Sequence, residues 1–374
     1  MKFPNQIFNI KMKHILHLLM LMSIFSFSCM AQEKGNTSVK NEPLKNINAL
    51  CELFKLNYAS FDEKKINWKS ICQESQKRVS LNTSDKELFE IMTEMLKPLN
   101  DGHVTLKAKE INSSFSASRE SRIMTELKTI PKTKRKELFK KTINNTLKQN
   151  GFEPITEIGP KFRGEKLFEY TRNKKIGYLR FYRSFSKLLV MNGPSLNKQL
   201  EKIFDNFKDL NAVIVDIRFN IGGDDEFSKK IAGKFLSKPM VGFYKQTRKN
   251  GVFGKLDTIM IKPNGKEAFL NKVVLLTNDR TVSAADVLAL MMSQLSNVTI
   301  IGEPSNGSYS DLYEKKLPNG WKVTLSNQRY LSVDKVNYEG KGTPVDILAK
   351  NSMFDIEENK DSVLIRALTF LNQN

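Results

Sequence analysis

The order of apolar and polar positions divides the chain into a helical part and a part in which strands and helices alternate. Over residues 46–98, apolar side chains recur at spacings of three and four, which predicts amphipathic helices. Residues 84–87, Ser-Asp-Lys-Glu, have the composition of a capping box and predict the start of the last of these helices. The pattern therefore indicates a small helical bundle before residue 100.

After Lys175 the pattern changes to short apolar strands separated by helical segments. Strands are predicted at 176–181, 212–217, 273–276 and 298–301, and helices at 194–210, 225–236 and 284–295. Continuously apolar strands between helices are typical of a largely parallel sheet that is covered on both faces. Asn319-Gly320 lies between strand-like residues and predicts a β-hairpin over 317–330. A C-terminal helix is expected from Asp361.

The N-terminus has the features of an export signal. Three lysines and no acidic residue accompany an apolar run at 15–27, and about a dozen residues are too few to span a bilayer that needs roughly 20. Cleavage after Ala31 is one interpretation. The other is a degraded lipobox at 26–29, in which Cys29 becomes the lipidated first residue and attaches the protein to a membrane. Leucine is preferred where Ser26 stands, so plain cleavage is weakly favoured, and both interpretations predict an exported protein of the periplasm or cell envelope, or a secreted one.

The pattern of apolar and polar positions and the distribution of charge together predict five segments. They are a signal peptide at 1–31, a flexible leader at 32–45, an N-terminal helical domain at 46–115, a basic connecting region at 116–175 and an α/β domain at 176–374. Lys and Arg number 60 in the chain against 40 Asp and Glu, and residues 122–175 hold 15 of the former and 6 of the latter. This stretch fits no nucleic-acid-binding motif, so a solvated basic surface is favoured over attraction of an acidic polymer or a membrane face.

Export makes the remaining cysteines and histidine informative. Cys51 and Cys72 would be the only cysteines after cleavage at Ala31, and one disulfide or two buried free thiols are about equally expected. No Cys or His spacing suits zinc, so no metal and no cofactor is predicted. His103 would be the single histidine of the mature protein. If this chain is a Ser/His hydrolase, His103 must therefore be its general base.

Two further segments could carry chemistry. Residues 216–223 (DIRFNIGG) end a predicted strand in paired glycines, whose backbone can turn amides toward a ligand oxygen, although a tight turn alone also explains them. Ser283 stands at the start of a helix that is apolar on nearly every side. Free amides and the helix dipole there favour developing negative charge, but taken alone the serine is better explained as an N-cap.

The ordered set of motifs resembles the C-terminal processing (tail-specific) peptidase family, in the branch of the tricorn protease core and the retinoid-binding-protein repeats. The motifs are DGH at 101–103, DIRFNIGG at 216–223, TVSAAD at 281–286, IGEPSNG at 301–307 and YEGKGTPVDI at 338–347, and residues 55–68 resemble that family's N-terminal helical region. The resemblance implies an α/β fold with a ClpP/crotonase-like β-β-α core and an N-terminal helical bundle. It also implies hydrolysis of peptide bonds through an acyl-enzyme.

The family's site residues carry over by position. The resemblance assigns the nucleophile to Ser283, the base to His103, the acid that orients the histidine to Glu339, and the oxyanion hole to Gly222 or Gly223 with the Ala284 amide. Ser308 stands where the Ser/Lys branch has its lysine, and no PDZ-like insert is seen. The expectation is an exported serine endopeptidase with a peptide or protein substrate and no nucleic-acid partner. The alternative is a non-catalytic protein that binds an apolar ligand or peptide on the same fold.

Overall fold

The structure is a computed structural model that describes residues 42–186 and 192–373. These residues belong to one compact unit that begins at Glu42. The predicted signal peptide, with Ala31 and Cys29, lies outside the described residues, and the domain boundaries proposed above stay predictions. Within the two described ranges, no helix is both long enough and apolar enough to cross a membrane.

Ten α-helices are found in the described ranges. They are α1 (Pro43–Asn57), α2 (Trp68–Lys77), α3 (Asp85–Leu96), α4 (Arg122–Glu126), α5 (Lys132–Gln149), α6 (Gly193–Asp205), α7 (Asp225–Ala232), α8 (Ala284–Met292), α9 (Met353–Glu357) and α10 (Ser362–Gln373). The predicted bundle is α1–α3, and α3 starts with the expected capping box between Ser84 and Glu87. Helix α1 already begins at Pro43, inside the range predicted as a leader.

The strands are more numerous than the sequence pattern suggests. They are β1 (Asp101–Ala108), β2 (Ser113–Ala117), β3 (Thr156–Phe162), β4 (Glu165–Arg172), β5 (Ile176–Arg180), β6 (Ala212–Asp216), β7 (Met240–Lys249), β8 (Val252–Phe253), β9 (Asp257–Ile261), β10 (Lys272–Thr277), β11 (Val298–Gly302), β12 (Leu312–Lys316), β13 (Lys322–Ser326), β14 (Gln328–Leu331) and β15 (Ile347–Leu348). The four predicted apolar strands are β5, β6, β10 and β11. The predicted hairpin is β12–β13, which turns at Asn319-Gly320 as expected but spans 312–326 rather than 317–330.

The central sheet has seven strands in the order β15-β11-β10-β6-β5-β4-β3. The strands from β15 to β5 run parallel, and β4 and β3 are antiparallel additions. One face of the sheet packs against α6, α7 and α8, and the other packs against α5 and α10. Because both faces are covered, strands such as β6 are apolar at every position but the last, as the sequence predicts.

A second sheet, β12-β13-β1-β2, joins the helical bundle to the rest of the chain. Strand β1 follows directly on the bundle and pairs with β13, for example Thr105 with Thr324. Residues 101–108 and 113–117 are therefore strand, although 101–115 fall in the segment predicted to be a helical domain. Strand β1 also pairs with the neighbouring β2, but its other partner, β13, lies more than 200 residues away, so no local pattern predicts that pairing. Strand β1 places Asp101 and His103 at the edge of the α/β part.

Cys51 of α1 and Cys72 of α2 form a disulfide, with their Cα atoms 5.9 Å apart. This resolves the alternative that the sequence leaves open. The bridge closes a loop of 21 residues, and constraining such a loop in the unfolded chain is worth about 3 kcal/mol. We expect the Cys51→Ser/Cys72→Ser double variant to lose about that much free energy of unfolding in urea denaturation. An unchanged unfolding midpoint would contradict a stabilising bridge.

Candidate active site

Ser283 lies at the junction between strand β10 and helix α8, and its backbone is unlike that of an ordinary capping serine. Its φ and ψ are 62° and −126°, whereas the capping residues Ser84 and Ser352 have extended backbones with φ of −68° and −116°. An N-cap normally has an extended backbone, and a non-glycine residue held at positive φ costs about 1–3 kcal/mol. A plain cap needs no such strain. The observation favours a functional role for this serine over capping alone.

All nine residues of helix α8 are buried, so the helix N-terminus next to Ser283 lies in the protein interior. The N–H of Ser283 donates to Oδ2 of Asp286 at 2.9 Å, which holds the serine backbone. Ala284 is the first helical residue, and the first amides of a helix have no acceptor within that helix. The Ala284 amide is thus suited to a developing oxyanion beside Ser283.

The paired glycines follow strand β6 and lie against the serine. Gly222 has a φ of 81°, and a Cβ built on it would be 2.6 Å from the Ser283 Cβ and 3.0 Å from the Ala284 nitrogen. Its own amide donates to Oδ1 of Asn220 at 2.9 Å. Since that amide already has an acceptor, Gly223, which is exposed, is the better placed of the two glycines to donate to an oxyanion.

The close approach of Gly222 to Ser283 can be tested by substitution. Gly222→Ala places a methyl group against Ser283 and is expected to slow reaction of the serine with a fluorophosphonate by on the order of a hundredfold, because it displaces the site. Gly151→Ala is the matched control, since Gly151 also has positive φ (75°) but an added Cβ would meet nothing within 4 Å. Equal rates in the two variants would show that the glycine does not position the serine.

His103 lies in strand β1 and is only 8% exposed. Its backbone N–H donates to Oδ1 of Asp101 at 2.9 Å, and its carbonyl accepts from Thr324 Oγ1 at 2.6 Å. Nδ1 is buried and has no hydrogen-bond partner among the described residues. Burial lowers the pKa of His103 below its usual 6.5, while Asp101 acts in the opposite direction. The imidazole is therefore held mainly in its neutral form, as a general base requires.

Glu339 is fully buried near the same end of β1. Its Oε2 accepts from the Tyr309 N–H at 3.1 Å, and within the described ranges its Oε1 has no hydrogen-bond partner. Burial, followed by the charge of Asp101, raises the pKa of Glu339 well above its usual value. Glu339 Oε1 and His103 Nδ1 are thus two buried atoms, each without a hydrogen-bond partner in the described ranges.

Lys64 and Asp101 were not predicted as parts of the site. Lys64 Nζ lies 3.8 Å from Asp101 Oδ2 and 4.0 Å from Glu339 Oε1, and the Tyr58 hydroxyl donates to Asp101 Oδ2 at 3.0 Å. Burial alone would raise the pKa of Asp101, but Lys64 and His103 outweigh it and leave the pKa below its usual value. The lysine is therefore a buried counter-ion shared by two carboxylates. Sequence motifs that contain these residues exist at 55–68 and 101–103, but nothing in them indicates a contact.

Residues 307–309 connect the serine to the buried acid. Asp286 accepts from the amides of Gly307 at 2.8 Å and Ser308 at 3.0 Å, and the next amide, Tyr309, donates to Glu339. Burial raises the pKa of Asp286 to about 6. The structure thus brings Ser283, Gly222, Gly223 and Ala284 together and links them through one backbone segment to the cluster that contains Glu339, Lys64 and Asp101. No group of His, Cys, Asp and Glu suited to a metal ion is present in the described part of the chain.

The chain is similar in sequence to known peptidases. The model of peptidase family S41 matches residues 175–349, and that of the tricorn protease C1 domain matches residues 40–97. The carboxy-terminal processing protease CtpA of Bacillus subtilis is 26% identical over 189 residues, which is 50% of this chain and 37% of that protein. The matching segment thus spans little more than a third of this curated relative.

Solved structures show the same fold. A candidate peptidase from Parabacteroides merdae superposes with a TM-score of 0.72 at 24% identity, covering 88% of this chain and 96% of that one. Mature CPAF complexed with lactacystin gives a TM-score of 0.64 at 12% identity and covers 90% and 100% of the two chains. At these identities the likeness concerns the fold, and the predicted α/β class with an N-terminal helical bundle is confirmed.

Proposed function

This chain belongs to peptidase family S41, a family of serine peptidases, and on that premise we propose that it is an exported serine endopeptidase acting on peptides or loosely folded proteins. The observation that carries the proposal is the strained backbone of Ser283 at the buried N-terminus of α8, with Gly222 packed directly against it. A binding protein has no need to hold a serine in this conformation. Positive φ at a strand-to-helix turn instead exposes a nucleophile beside amide donors.

The proposed chemistry follows from the roles of the individual groups. The Ser283 hydroxyl attacks the scissile carbonyl while His103 takes its proton, and the amides of Gly223 and Ala284 stabilise the tetrahedral oxyanion. His103 then gives the proton to the leaving amine, which produces an acyl-enzyme. Attack by water, again with His103 as base, releases the second product.

Glu339 is proposed to orient and stabilise the histidine. Proton transfer from Ser283 places a positive charge on the imidazole, and that charge favours the ionised form of a nearby carboxylate. The free Oε1 of Glu339 and the free Nδ1 of His103 are the atoms such an interaction would use. Asp101, whose charge acts on His103 more strongly than that of any other group, supports the same imidazolium.

Labelling with a fluorophosphonate, followed by identification of the modified peptide, tests the proposal. We expect the purified mature protein to be modified at Ser283 and the His103→Ala variant to escape modification. A folded protein with an unmodified Ser283 would favour the alternative, a non-catalytic protein that binds an apolar ligand or peptide. Uptake of an apolar fluorophore by such an unreactive sample would support that alternative.

The pH dependence of labelling follows from the pKa of the base. Burial lowers the pKa of His103 below 6.5, and the reaction requires the neutral imidazole. The labelling rate is therefore expected to stay constant near pH 7 and to fall only at lower pH, about tenfold per unit once His103 is protonated. Rates measured from pH 4.5 to 8 check this. A half-maximal rate above pH 6.5 would contradict the assignment.

Export is part of the proposal and rests on the N-terminal segment. We propose cleavage after Ala31, with a lipidated Cys29 as the competing form. The mass of the N-terminal peptide of protein isolated from its host separates the two. A peptide that begins at Gln32 supports simple cleavage, an acylated Cys29 supports a membrane-attached lipoprotein, and an intact N-terminus contradicts export by either route.

A further inference from the structure

A cavity of about 500 Å³ lies beside the candidate active site. It is enclosed by α4 and α5, the β3–β4 hairpin and two loops of the site itself. One loop contributes Ile221, which directly precedes Gly222, and the other contributes Arg280, three residues before Ser283. Because consecutive Cα atoms are about 3.8 Å apart, a group bound against Ile221 lies within one or two residues of the proposed catalytic machinery.

The inner lining of this cavity is apolar. Leu127, Phe139 and Leu167 are buried, and Phe162 and Phe219 are half-buried around them. A volume of several hundred cubic ångströms with an apolar lining is typical of a site that takes up a ligand rather than of a packing defect. The cavity is therefore suited to one or two bulky apolar side chains.

Positive charge surrounds the apolar lining. Seven lysine and arginine side chains line the cavity against one carboxylate, Glu165, which forms an ion pair with Lys136. Burial and then the charge of Lys140 lower the pKa of Lys136, and burial together with Arg163 lowers that of Arg183. These cations thus lie close enough to repel one another. An anionic group that entered the cavity would relieve this repulsion.

One polar atom of the cavity wall is left without a partner. The hydroxyl of Tyr182 is buried and forms no hydrogen bond with any described residue. The Lys136 ammonium lies 4.5 Å from the centre of the same ring. Buried hydroxyls are almost always hydrogen-bonded, so a missing partner at a cavity wall indicates a site for an acceptor. A carboxylate oxygen could accept from Tyr182 and face the lysine as well.

We propose that the basic cavity is a specificity subsite for a peptide segment that combines a bulky apolar side chain with a carboxylate. The apolar side chain would lie against Phe139 and Leu167, and the carboxylate would lie among the cations near Tyr182. The carboxylate can come from an aspartate or glutamate of the peptide or from its C-terminus. The inference rests on the proposed peptidase function, because the peptide would be held for cleavage at Ser283.

Binding of three fluorescein-labelled peptides to the Ser283→Ala variant tests the proposal without requiring hydrolysis. The first has a phenylalanine flanked by two aspartates and an amidated C-terminus, the second has asparagines instead, and the third has asparagines and a free C-terminal carboxylate. We expect a carboxylate to tighten binding about fivefold to tenfold, as fluorescence anisotropy measures it. The first and third peptides then distinguish the two sources of that carboxylate.

Variants of exposed or half-exposed lysines show whether the preference arises in the cavity. Lys136→Gln/Lys166→Gln removes two of the seven lining cations, among them the one beside Tyr182, and is expected to remove most of the carboxylate preference. Lys134→Gln is the matched control, since Lys134 is exposed on the same helix α5 but does not line the cavity. Circular dichroism of each variant checks that the fold is retained.

Each outcome decides the matter. Preference for either carboxylate peptide that is lost in the double variant and kept in Lys134→Gln supports the proposal. Equal binding of all three peptides, no binding of any, a preference that is retained in the double variant, or an equal loss in the control variant overturns it. Failure of the proposed function would appear separately, as an unmodified Ser283 in the fluorophosphonate experiment on the protein with its native serine.

Discussion

Replacing Ser283 with alanine is expected to lower kcat for peptide hydrolysis by about 10⁴- to 10⁶-fold and to leave KM nearly unchanged. In the proposed mechanism the hydroxyl forms the acyl-enzyme bond and other groups hold the substrate, so its removal should affect the transition state far more than binding. His103→Ala is expected to cause a loss of similar size. Steady-state kinetics with a quenched fluorescent peptide measures both.

The double variant distinguishes a cooperating pair from two independent effects. Groups that act as one unit are not additive, so Ser283→Ala/His103→Ala should be about as slow as either single variant. Effects that multiplied would contradict the assignment of His103 as the base for Ser283. So would either single variant that kept more than about a hundredth of the native kcat.

Ser308 provides a matched serine control. It lies two residues from Asn306, whose Oδ1 accepts from the Ser308 hydroxyl at 2.7 Å, and its amide donates to Asp286. Ser308→Ala removes one side-chain hydrogen bond worth about 1 kcal/mol and leaves the backbone contacts in place. We expect it to change kcat less than about tenfold. A loss of kcat as large as that of Ser283→Ala would contradict the assignment of Ser283 as the only catalytic serine.

Replacing Asp361 with alanine is expected to lower the free energy of unfolding by about 3–5 kcal/mol. Arg218 is 2% exposed and donates to both carboxylate oxygens of Asp361, at 2.8 and 2.9 Å, and to both oxygens of Asp216. Removing Asp361 leaves a buried guanidinium with half of its charge partners. The same carboxylate caps α10 by accepting from the Leu364 amide at 3.0 Å, so that contact is lost too.

Urea denaturation of the variant and of a surface control measures this effect. Asp209→Ala is the control, because Asp209 pairs with Arg172 in a similar two-pronged geometry but lies at the surface with 61% of its side chain exposed. Solvent screens such a pair, so the control should unfold close to the native midpoint. If Asp361→Ala is no less stable than Asp209→Ala, the prediction is wrong. The buried ion pair would then not be what anchors Arg218, and the glycine loop that follows it, to α10.

The sequence predicts those parts of the fold in which the side-chain types themselves indicate which positions are buried. Strands β5, β6, β10 and β11 are apolar because both faces of the sheet are covered, and α3 begins where Ser84 and Glu87 cap it. Strands β1–β4 escaped prediction because they mix polar and apolar positions without a clean alternation. Strand β1, for example, lies between the neighbouring β2 and the distant β13, and its pairing with β13 depends on the tertiary fold.

The residues of the candidate site likewise include some that sequence motifs predict and some that they do not. Ser283, His103, the glycines and Glu339 were assigned from motifs, and their catalytic roles are proposals. Lys64, Asp101 and Asp286 were missed, since a lysine or aspartate in the sequence carries no sign of whether water or another charge surrounds it. Lys64 and Glu339 come within 4.0 Å only because the bundle packs against the α/β part.

The sequence by itself determined the fold class, the helical bundle, the main strands of the central sheet and the family, because periodicity and ordered motifs are properties of neighbouring residues. Only the tertiary structure decided that Cys51 and Cys72 are bonded, that Ser283 has a positive φ and that Asp101, Lys64 and Glu339 share one buried cluster. The basic stretch, expected to be a solvated surface, likewise contributes to a cavity. Burial and electrostatic interaction depend on which distant segments meet in space, and that is set by packing rather than by local sequence.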